Sequence, residues 1–307
     1  MARVPSYSSL GAGPLVVLLH GAGGGFRSFA PQVETLASLG FRAVAWNMPG
    51  YGLSPPIEPY GFKGLAESCI ALIEALAPEG GAEPVALVGH GLGGMVAQEV
   101  ALRRPDLVRQ LVLVATAAAV APGDAYSRHA AQGLGWLDEG RDMTAIAEAL
   151  LPQLVSPRAL PAGVQLARHV LTQVHAATWR RALQALSGFD RRAALGHIHV
   201  PTLLVAGAQD TVAPPAVLQA MAAAVSGARC VSLADAGHLD EARWVAARLR
   251  DFRNADASEF FAPCAGPAVA ALPFQCQPPP ATLDWRTLAR LPPLLLPATA
   301  SAQPATQ

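Results

Sequence analysis

The chain has 307 residues, a formal net charge of zero and a 52% share of hydrophobic residues. This length is enough for one large α/β domain or two small ones, and the hydrophobic content supplies a sizeable core. A balanced charge offers neither the basic stripe that nucleic acid requires nor an acidic field for cationic partners, so no nucleic-acid partner is expected.

Short apolar runs and helical patterns alternate through most of the sequence. The apolar runs predict six strands, at Leu15–Leu19, Arg42–Trp46, Val85–Val88, Leu111–Val114, Thr202–Ala206 and Arg229–Leu233. Helical patterns lie between them, at Phe29–Leu39, Phe62–Leu76, Leu92–Arg103 and Pro215–Val225. Continuously apolar strands indicate an α/β fold with a doubly wound, mostly parallel sheet covered on both faces. Such sheets bind ligands at the carboxyl ends of their strands.

One segment, residues 117–192, interrupts this alternation because it holds no convincing strand. Its helical patterns, at Asp142–Leu151, Val164–Val174 and Ala176–Leu186, fall between the fourth and fifth predicted strands. We expect a helical cap inserted before the penultimate strand, which would close the strand ends from water. The alternative is an ordinary helical excursion with no role in binding. Residues 1–116 and 193–252 would then form the core.

The C-terminal residues 253–307 are rich in Pro and Ala and poor in charge. Ten of the chain's 27 prolines lie beyond Ser258. Because proline removes a backbone donor and breaks regular structure, this tail is predicted to be disordered. Alternatively, its isolated apolar pieces could dock on the body.

The apolar run near the N-terminus, Leu15–Leu19, is far too short to span a bilayer, and no signal-peptide pattern precedes it. We therefore expect a cytoplasmic protein without a membrane partner. The four cysteines, at positions 69, 230, 264 and 276, show no metal-type spacing, so they are interpreted as buried or unreactive thiols. Neither a metal nor a cofactor is expected, and the sequence sets no oligomeric state.

A glycine-rich turn follows the third predicted strand, in the segment VALVGHGLGG that starts at Val85. A strand, such a turn and a helix form the layout of the nucleophile elbow G-x-S-x-G, whose central residue is directed into an active site. The central residue here is Gly91, which has no side chain and cannot attack a substrate. The preceding residue, His90, is expected to be structural and to point away from the reaction centre.

Three further motifs suggest the remaining parts of an acyl-transfer site. The glycine-rich loop after His20 and the turn at Gly91 would direct the amides of Ala22 and Leu92 at one bound oxygen, as an oxyanion hole. Asp210 follows the fifth predicted strand and His238 follows the sixth. Each also has a simpler interpretation, as a helix-capping acid and as a hydrogen-bonded loop histidine.

Together these motifs resemble the α/β-hydrolase fold family, and in particular its 3-oxoadipate enol-lactonase and carboxylesterase-like branch. The segments that carry the likeness are GHGLGGMVAQEVALRRPDLVRQLVLVAT, RAALGHIHVPTLLVAGAQDTVAPP with ADAGH, and WNMPGYGLS, in which Asn47 replaces the usual acid. The resemblance runs from about Pro14 to Arg250 and implies a triad in the order serine, aspartate, histidine. Few residues precede His20, so the family's first strands are expected to be shortened or missing. The segment after His238 is abbreviated as well.

The resemblance implies a small ester, lactone or related acyl compound as the substrate, and Gly91 leaves three interpretations of the chemistry. In the first, the chain belongs to an ester or lactone hydrolase lineage and has low turnover because the serine is replaced. It could instead be a binding protein that has lost covalent chemistry, or an enzyme in which His238 activates a water molecule. Trp136 and Trp179 are candidate walls of a mostly apolar substrate pocket, or simply packed residues.

Overall fold

The computed structural model describes residues 3–77 and 83–239 of the chain. In these ranges the strands are Tyr7–Leu10 (β1), Leu15–Leu19 (β2), Arg42–Trp46 (β3), Val85–His90 (β4), Val108–Val114 (β5), Thr202–Gly207 (β6) and Arg229–Leu233 (β7). The α-helices are Ala30–Ser38 (α1), Phe62–Ala75 (α2), Leu92–Arg103 (α3), Ala125–Asp138 (α4), Met143–Leu154 (α5), Pro161–Thr172 (α6), Ala176–Leu186 (α7) and Pro215–Ala224 (α8). The predicted tail, residues 253–307, lies outside the described residues.

The strands form one sheet in the order β1-β3-β2-β4-β5-β6-β7. β1 pairs with β3 in the antiparallel sense, and every other neighbouring pair is parallel. The central strands are buried along almost their whole length, which explains their unbroken apolar sequences. The predicted α/β class with a mostly parallel sheet flanked by helices is confirmed.

All six predicted strands are present, and the structure adds β1 at the N-terminal edge of the sheet. Sequence patterns missed β1 because its four residues, Tyr-Ser-Ser-Leu, are mostly exposed and carry no apolar run. β1 is short and antiparallel to its neighbour β3. Its residue Tyr7 pairs with Trp46, the last residue of β3.

Four helices, α4 to α7, lie between β5 and β6, where the sequence predicted three. The two ends of this segment meet in a bridge between Ala119 and Asp190. The segment also contacts loops that follow strands. The hydroxyl of Thr178 in α7 donates to the Gly50 carbonyl oxygen at 3.0 Å, and the Leu239 amide donates to the Leu154 carbonyl oxygen at 3.1 Å. The helical segment therefore lies against the carboxyl ends of β3 and β7.

A buried carboxylate joins helix α3 to the end of the helical segment. The Glu99 side chain is 3% exposed, and its Oε2 accepts a hydrogen bond from Arg103 Nε at 2.8 Å. Its second oxygen contacts Arg191.

Within the described part of the chain, no helix is long and apolar enough to cross a bilayer.

Candidate active site

Gly91 forms a tight turn between β4 and α3. Its φ of +55° lies in the region that glycine adopts without steric cost, and its ψ is −120°. The Gly91 amide donates to the Val114 carbonyl oxygen at 2.9 Å, and its own carbonyl oxygen accepts from the Thr116 hydroxyl at 2.6 Å. Both ends of the turn are thereby fixed to the end of β5 and the residues after it.

A second glycine, Gly93, allows α3 to approach the sheet closely. A Cβ atom at this position would collide with the carbonyl oxygens of Leu19 and His20. The absence of a side chain at Gly93 therefore brings the first turn of α3 directly against the end of β2. This close approach places the glycine-rich loop after His20 beside Gly91.

Asp210 and His238, which follow β6 and β7, contact each other directly. His238 Nδ1 donates to Asp210 Oδ2 at 2.8 Å, and both residues are buried, at 7% and 4% exposure. The other carboxylate oxygen, Oδ1, accepts from the amides of Val212 at 2.7 Å and Ala213 at 2.8 Å. Burial alone would raise the pKa of Asp210, but the charge and hydrogen bond of His238 and these two amides hold it below 3.8. The pair is therefore an ionised carboxylate that orients an imidazole.

The second ring nitrogen of His238 lies next to Gly91. A Cβ atom built on Gly91 would be 3.7 Å from His238 Nε2, 3.7 Å from Gly21 Cα and 3.4 Å from the Tyr126 hydroxyl oxygen. These are ordinary van der Waals separations, so a Cβ atom fits at this position without displacing a neighbour. The space around Gly91 is therefore bordered by the imidazole, the glycine-rich loop and one phenol.

The loop after β2 is held by His20. Its Nε2 accepts a hydrogen bond from the Met48 amide at 3.0 Å, so Nδ1 carries the proton and donates to the Gly21 carbonyl oxygen at 2.8 Å. Burial lowers the pKa of His20 to about 4, which keeps the ring neutral near pH 7. The Tyr51 hydroxyl donates to the Ala22 carbonyl oxygen at 2.7 Å. His20 thus orders the loop.

Each of the two predicted oxyanion-hole residues is the chain neighbour of a residue at the Gly91 turn. Ala22 follows Gly21, whose Cα atom lies beside the Gly91 turn. Leu92 is the first residue of α3, so its amide lacks an acceptor within the helix. Their role as donors to a bound oxygen stays a prediction.

Asn47, which replaces the acid of the family's loop motif, is a buried connector at the end of β3. Its Oδ1 accepts from the Phe26 amide at 3.0 Å, and its Nδ2 donates to the Ser6 hydroxyl at 3.0 Å. Its carbonyl oxygen accepts from the Ser54 hydroxyl at 2.7 Å. An amide supplies both a donor and an acceptor here, which a carboxylate could not.

His90 does not point away from the site, so that expectation was wrong. Its Nε2 donates to the carbonyl oxygen of His238 at 2.8 Å, and the two ring centroids are 5.0 Å apart. Burial, assisted by the neighbouring His238, lowers the pKa of His90 to about 4. A neutral ring from the elbow therefore holds the backbone of the loop that carries His238.

Sequence reasoning missed two residues of α4 beside His238. The ring centroids of Tyr126 and His129 lie 6.1 Å and 6.5 Å from that of His238. The Tyr126 hydroxyl donates to the Ala115 carbonyl oxygen at 2.8 Å, and burial lowers the pKa of His129 to about 4. No spacing in the sequence connects these residues to His238, because the folded chain brings them together from distant segments.

A cavity of about 420 Å³ opens beside His129. Its walls come from α4, the end of α5 and the residues after Asp210, and they consist of Ala125, Arg128, His129, Gln132, Gln153, Leu154, Thr211 and Val212. Most of these side chains are polar. The sequence-based expectation of a mostly apolar pocket therefore does not describe this cavity.

Trp136 and Trp179 are not among the residues that line this cavity. Trp179 is 1% exposed and belongs to the core. A Cβ atom on Gly133 would come within 2.8 Å of its ring, so α4 and α7 pack tightly there. Trp136 is half-buried, with the Arg141 guanidinium carbon 5.4 Å from its ring centroid. These positions favour packing, the second of the two roles that the sequence left open.

Among the described residues, no group of three or more His, Cys, Asp or Glu side chains is arranged to hold a metal ion. Cys69 is buried and burial raises the pKa of its thiol, while Cys230 is half-buried. Cys264 and Cys276 lie outside the described residues.

The parallel sheet, the turn at Gly91 and the contact between Asp210 and His238 are the features of an α/β-hydrolase fold. A family model described as "alpha/beta hydrolase fold" matches residues 14–240. The chain therefore belongs to the α/β-hydrolase family.

Relatives of named activity are similar to this chain over most of its length. It is 30% identical over 252 residues to a pimeloyl-acyl-carrier protein methyl ester esterase of Neisseria meningitidis serogroup B. This match covers 77% of this chain and 92% of the relative. The solved structure of the enol-lactonase from Burkholderia xenovorans LB400 matches with a TM-score of 0.71 and 25% identity, covering 81% of this chain and 96% of that one. A third relative, the polyketide synthase ThaQ of Burkholderia thailandensis, is 31% identical over 235 residues. This match covers 74% of the chain but spans 11% of ThaQ's length.

Proposed function

We propose that this protein descends from carboxylic-ester or lactone hydrolases and keeps their acyl site, but lacks the nucleophile for covalent catalysis. Its own turnover is therefore low. The observation that carries the proposal is the 3.7 Å separation between a Cβ atom built on Gly91 and His238 Nε2. A serine hydroxyl, one bond beyond that Cβ, could reach hydrogen-bond distance of Nε2 in a suitable rotamer.

In this proposal each residue of the site has one role. Gly91 occupies the nucleophile position, His238 is the general base and Asp210 orients it. The amides of Ala22 and Leu92 stabilise the negative oxygen of the tetrahedral intermediate. The helices α4 to α7 act as a cap over the strand ends, where they contact the loops after β3 and β7. An esterase and an enol-lactonase among the relatives support an ester or lactone as the substrate class.

A second candidate is slow hydrolysis by water, which the orientation of His238 favours. Because Nδ1 is held by Asp210, the unprotonated Nε2 is the nitrogen next to Gly91. Nε2 would take a proton from water while the water oxygen bonds to the acyl carbon. When the bond to the leaving oxygen breaks, His238 would return that proton to the leaving group. No acyl-enzyme forms in this route.

The experiment that tests the proposal is restoration of the nucleophile. We expect Gly91→Ser to hydrolyse p-nitrophenyl acetate at least about a thousandfold faster than the parent, since loss of a serine nucleophile costs on the order of a millionfold. His238→Ala in the serine background should abolish the gain. A folded Gly91→Ser protein that stays inert would contradict the proposal. The remaining function would then be small-molecule binding without catalysis.

The parent protein separates the two catalytic routes. If its slow hydrolysis falls when His238 is replaced by Ala, water activation by His238 operates in the natural sequence. If the parent rate equals that of His238→Ala, the parent does not use this base.

A further inference from the structure

The polar cavity beside the candidate active site is built largely on one face of α4. Ala125, Arg128, His129 and Gln132 all line it, at spacings of three, one and three residues. Such spacings place side chains on one side of a helix. The facing wall comes from Gln153 at the end of α5 and from Thr211, the residue after Asp210. The cavity therefore adjoins the base without containing it.

Arg128 differs from every other arginine in residues 117–192. This segment has eight arginines, and seven of them lie within 4.0 Å of a carboxylate oxygen. Across the described residues, Arg128 has no such partner, and its hydrogen bond is to the Gly123 carbonyl oxygen. An exposed arginine without a carboxylate partner thus lines the cavity.

No negative side chain lines the cavity to balance this charge. The nearest acid in sequence, Asp124, accepts hydrogen bonds from the amides of Ser127 and Ala121, at 2.7 Å and 2.6 Å. Asp210 is likewise occupied by His238 and two amides. His129 stays neutral near pH 7, because burial lowers its pKa to about 4. Arg128, an exposed side chain, is therefore the one charged residue among those that line the cavity, and amide and hydroxyl groups lie around it.

We propose that this cavity binds a carboxylate, and that the substrate is an acyl compound whose far end carries this negative group. Arg128 would form charge-assisted hydrogen bonds to the carboxylate, with Gln132, Gln153 and Thr211 as further polar partners. His129 lines the cavity, and its ring is 6.5 Å from that of His238. It would therefore lie between the bound carboxylate and the acyl group of the same ligand. The substrate class rests on the function proposed above, whereas binding of the anion does not require hydrolysis.

Binding to the natural Gly91 protein tests this inference without the need for turnover. The probes are monomethyl succinate, glutarate and adipate, each paired with its neutral dimethyl ester, in isothermal titration calorimetry at pH 7. One carboxylate held by an arginine should make the best monoester bind about tenfold to a hundredfold tighter than its diester. Added salt should weaken the monoester selectively.

The variants assign the preference to one side chain. Arg128→Ala should reduce the monoester preference to about onefold, and Arg128→Lys should retain part of it. The matched control is Arg168→Ala, which removes another arginine of the same segment, one that pairs with Glu148 and does not line the cavity. That control should keep the full preference.

Two outcomes would overturn the inference: equal binding of monoesters and diesters to the parent, or an undiminished preference in Arg128→Ala. The result is separable from the proposed hydrolysis, which uses Gly91→Ser and a neutral ester. An anion preference with an inert Gly91→Ser protein would retain the carboxylate site and reject the hydrolase. An active Gly91→Ser protein without the preference would support the hydrolase and reject the carboxylate site.

Discussion

The Nε2 atom of His90 donates a hydrogen bond to the carbonyl oxygen of His238, over 2.8 Å. This contact links the nucleophile elbow to the loop that carries the base, independently of the contact between Asp210 and His238. The Nδ1 atom of His238 is fixed through its side chain, and its backbone is fixed by His90. Because Gly91 directly follows His90, the hydrogen bond from His90 holds the Gly91 turn next to His238.

Removal of this donor should destabilise the fold and displace the base. We expect His90→Leu to lower the free energy of unfolding by about 1–3 kcal/mol, because a buried carbonyl oxygen loses its partner. His90→Gln, which offers an amide donor, should lose less. Urea denaturation measures both, and His199→Leu, a change at an exposed histidine, is the control. In the Gly91→Ser background, His90→Leu should reduce kcat more than it changes KM. Equal stability of His90→Leu and the parent would show that this hydrogen bond does not contribute to the free energy of unfolding.

The elbow glycines should respond differently to an added methyl group. At Gly91 a Cβ atom has room, so Gly91→Ala should cost about 1–3 kcal/mol, from the positive φ alone. At Gly93 the same atom meets the Leu19 and His20 carbonyl oxygens, so Gly93→Ala should cost more. Gly135→Ala is the control in α4, where an added Cβ atom would meet nothing within 4 Å beyond the nearby backbone of its own helix, and it should stabilise by roughly 0.5–1 kcal/mol. Thermal and urea unfolding give the order, and a Gly93→Ala protein as stable as Gly91→Ala would contradict the close packing of α3.

Stability should fall as the solution becomes mildly acidic. Burial lowers the pKa of His20, His90 and His129 to about 4, from 6.5 in the unfolded chain. The unfolded chain therefore binds these protons first, and the unfolding free energy decreases as pH falls from about 6.5 to about 4. By pH 5 each ring should account for a loss of about 2 kcal/mol. Asp210, whose pKa is held below 3.8, loses its contribution at lower pH still.

Urea denaturation at pH 7 and pH 5 measures this dependence. His90→Gln removes one of the three groups, so its loss between these pH values should be smaller by about 2 kcal/mol. An unfolding free energy that is the same at both pH values in the parent would mean that the three rings are protonated alike in the folded and unfolded chain.

The sequence correctly predicted spatial contacts between residues that directly follow strands. Asp210 and His238 come after adjacent parallel strands, β6 and β7, whose carboxyl ends share one edge of the sheet. Their contact could be predicted because strand order alone places them close together. The same reasoning identified the turn at Gly91, where glycines are required by backbone conformation and by close packing.

The helical segment was less predictable because its packing depends on contacts between distant parts of the chain. Helix α4 was missed since its polar residues and two glycines, at 133 and 135, weaken the helical pattern. With α4 unassigned, the positions of Tyr126 and His129 beside His238 could not be inferred. The polar cavity was missed for the same reason, because its walls come from three segments that lie far apart in sequence.

The Asp210→Asn variant tests whether Asp210 orients the base as proposed. The Asn oxygen could still accept from the amides of Val212 and Ala213, so the fold should be retained. Its amide nitrogen would donate to His238 Nδ1, which would place the imidazole proton on Nε2 and prevent that atom from acting as a base. In the Gly91→Ser background we expect kcat to fall by about 10⁴-fold, as for a triad with the wrong histidine tautomer.

Asp235→Asn is the control for this change, because Asp235 contacts Arg158 at the surface, 3.0 Å away, and touches neither His238 nor Gly91 in any described contact. It should leave kcat within about twofold of Gly91→Ser alone, since exposed ion pairs contribute little. Hydrolysis of p-nitrophenyl acetate followed from pH 5 to pH 9 measures both variants. If Asp210→Asn retains the rate and the pH profile of Gly91→Ser, the serine is activated by another group and the assignment of Asp210 is wrong.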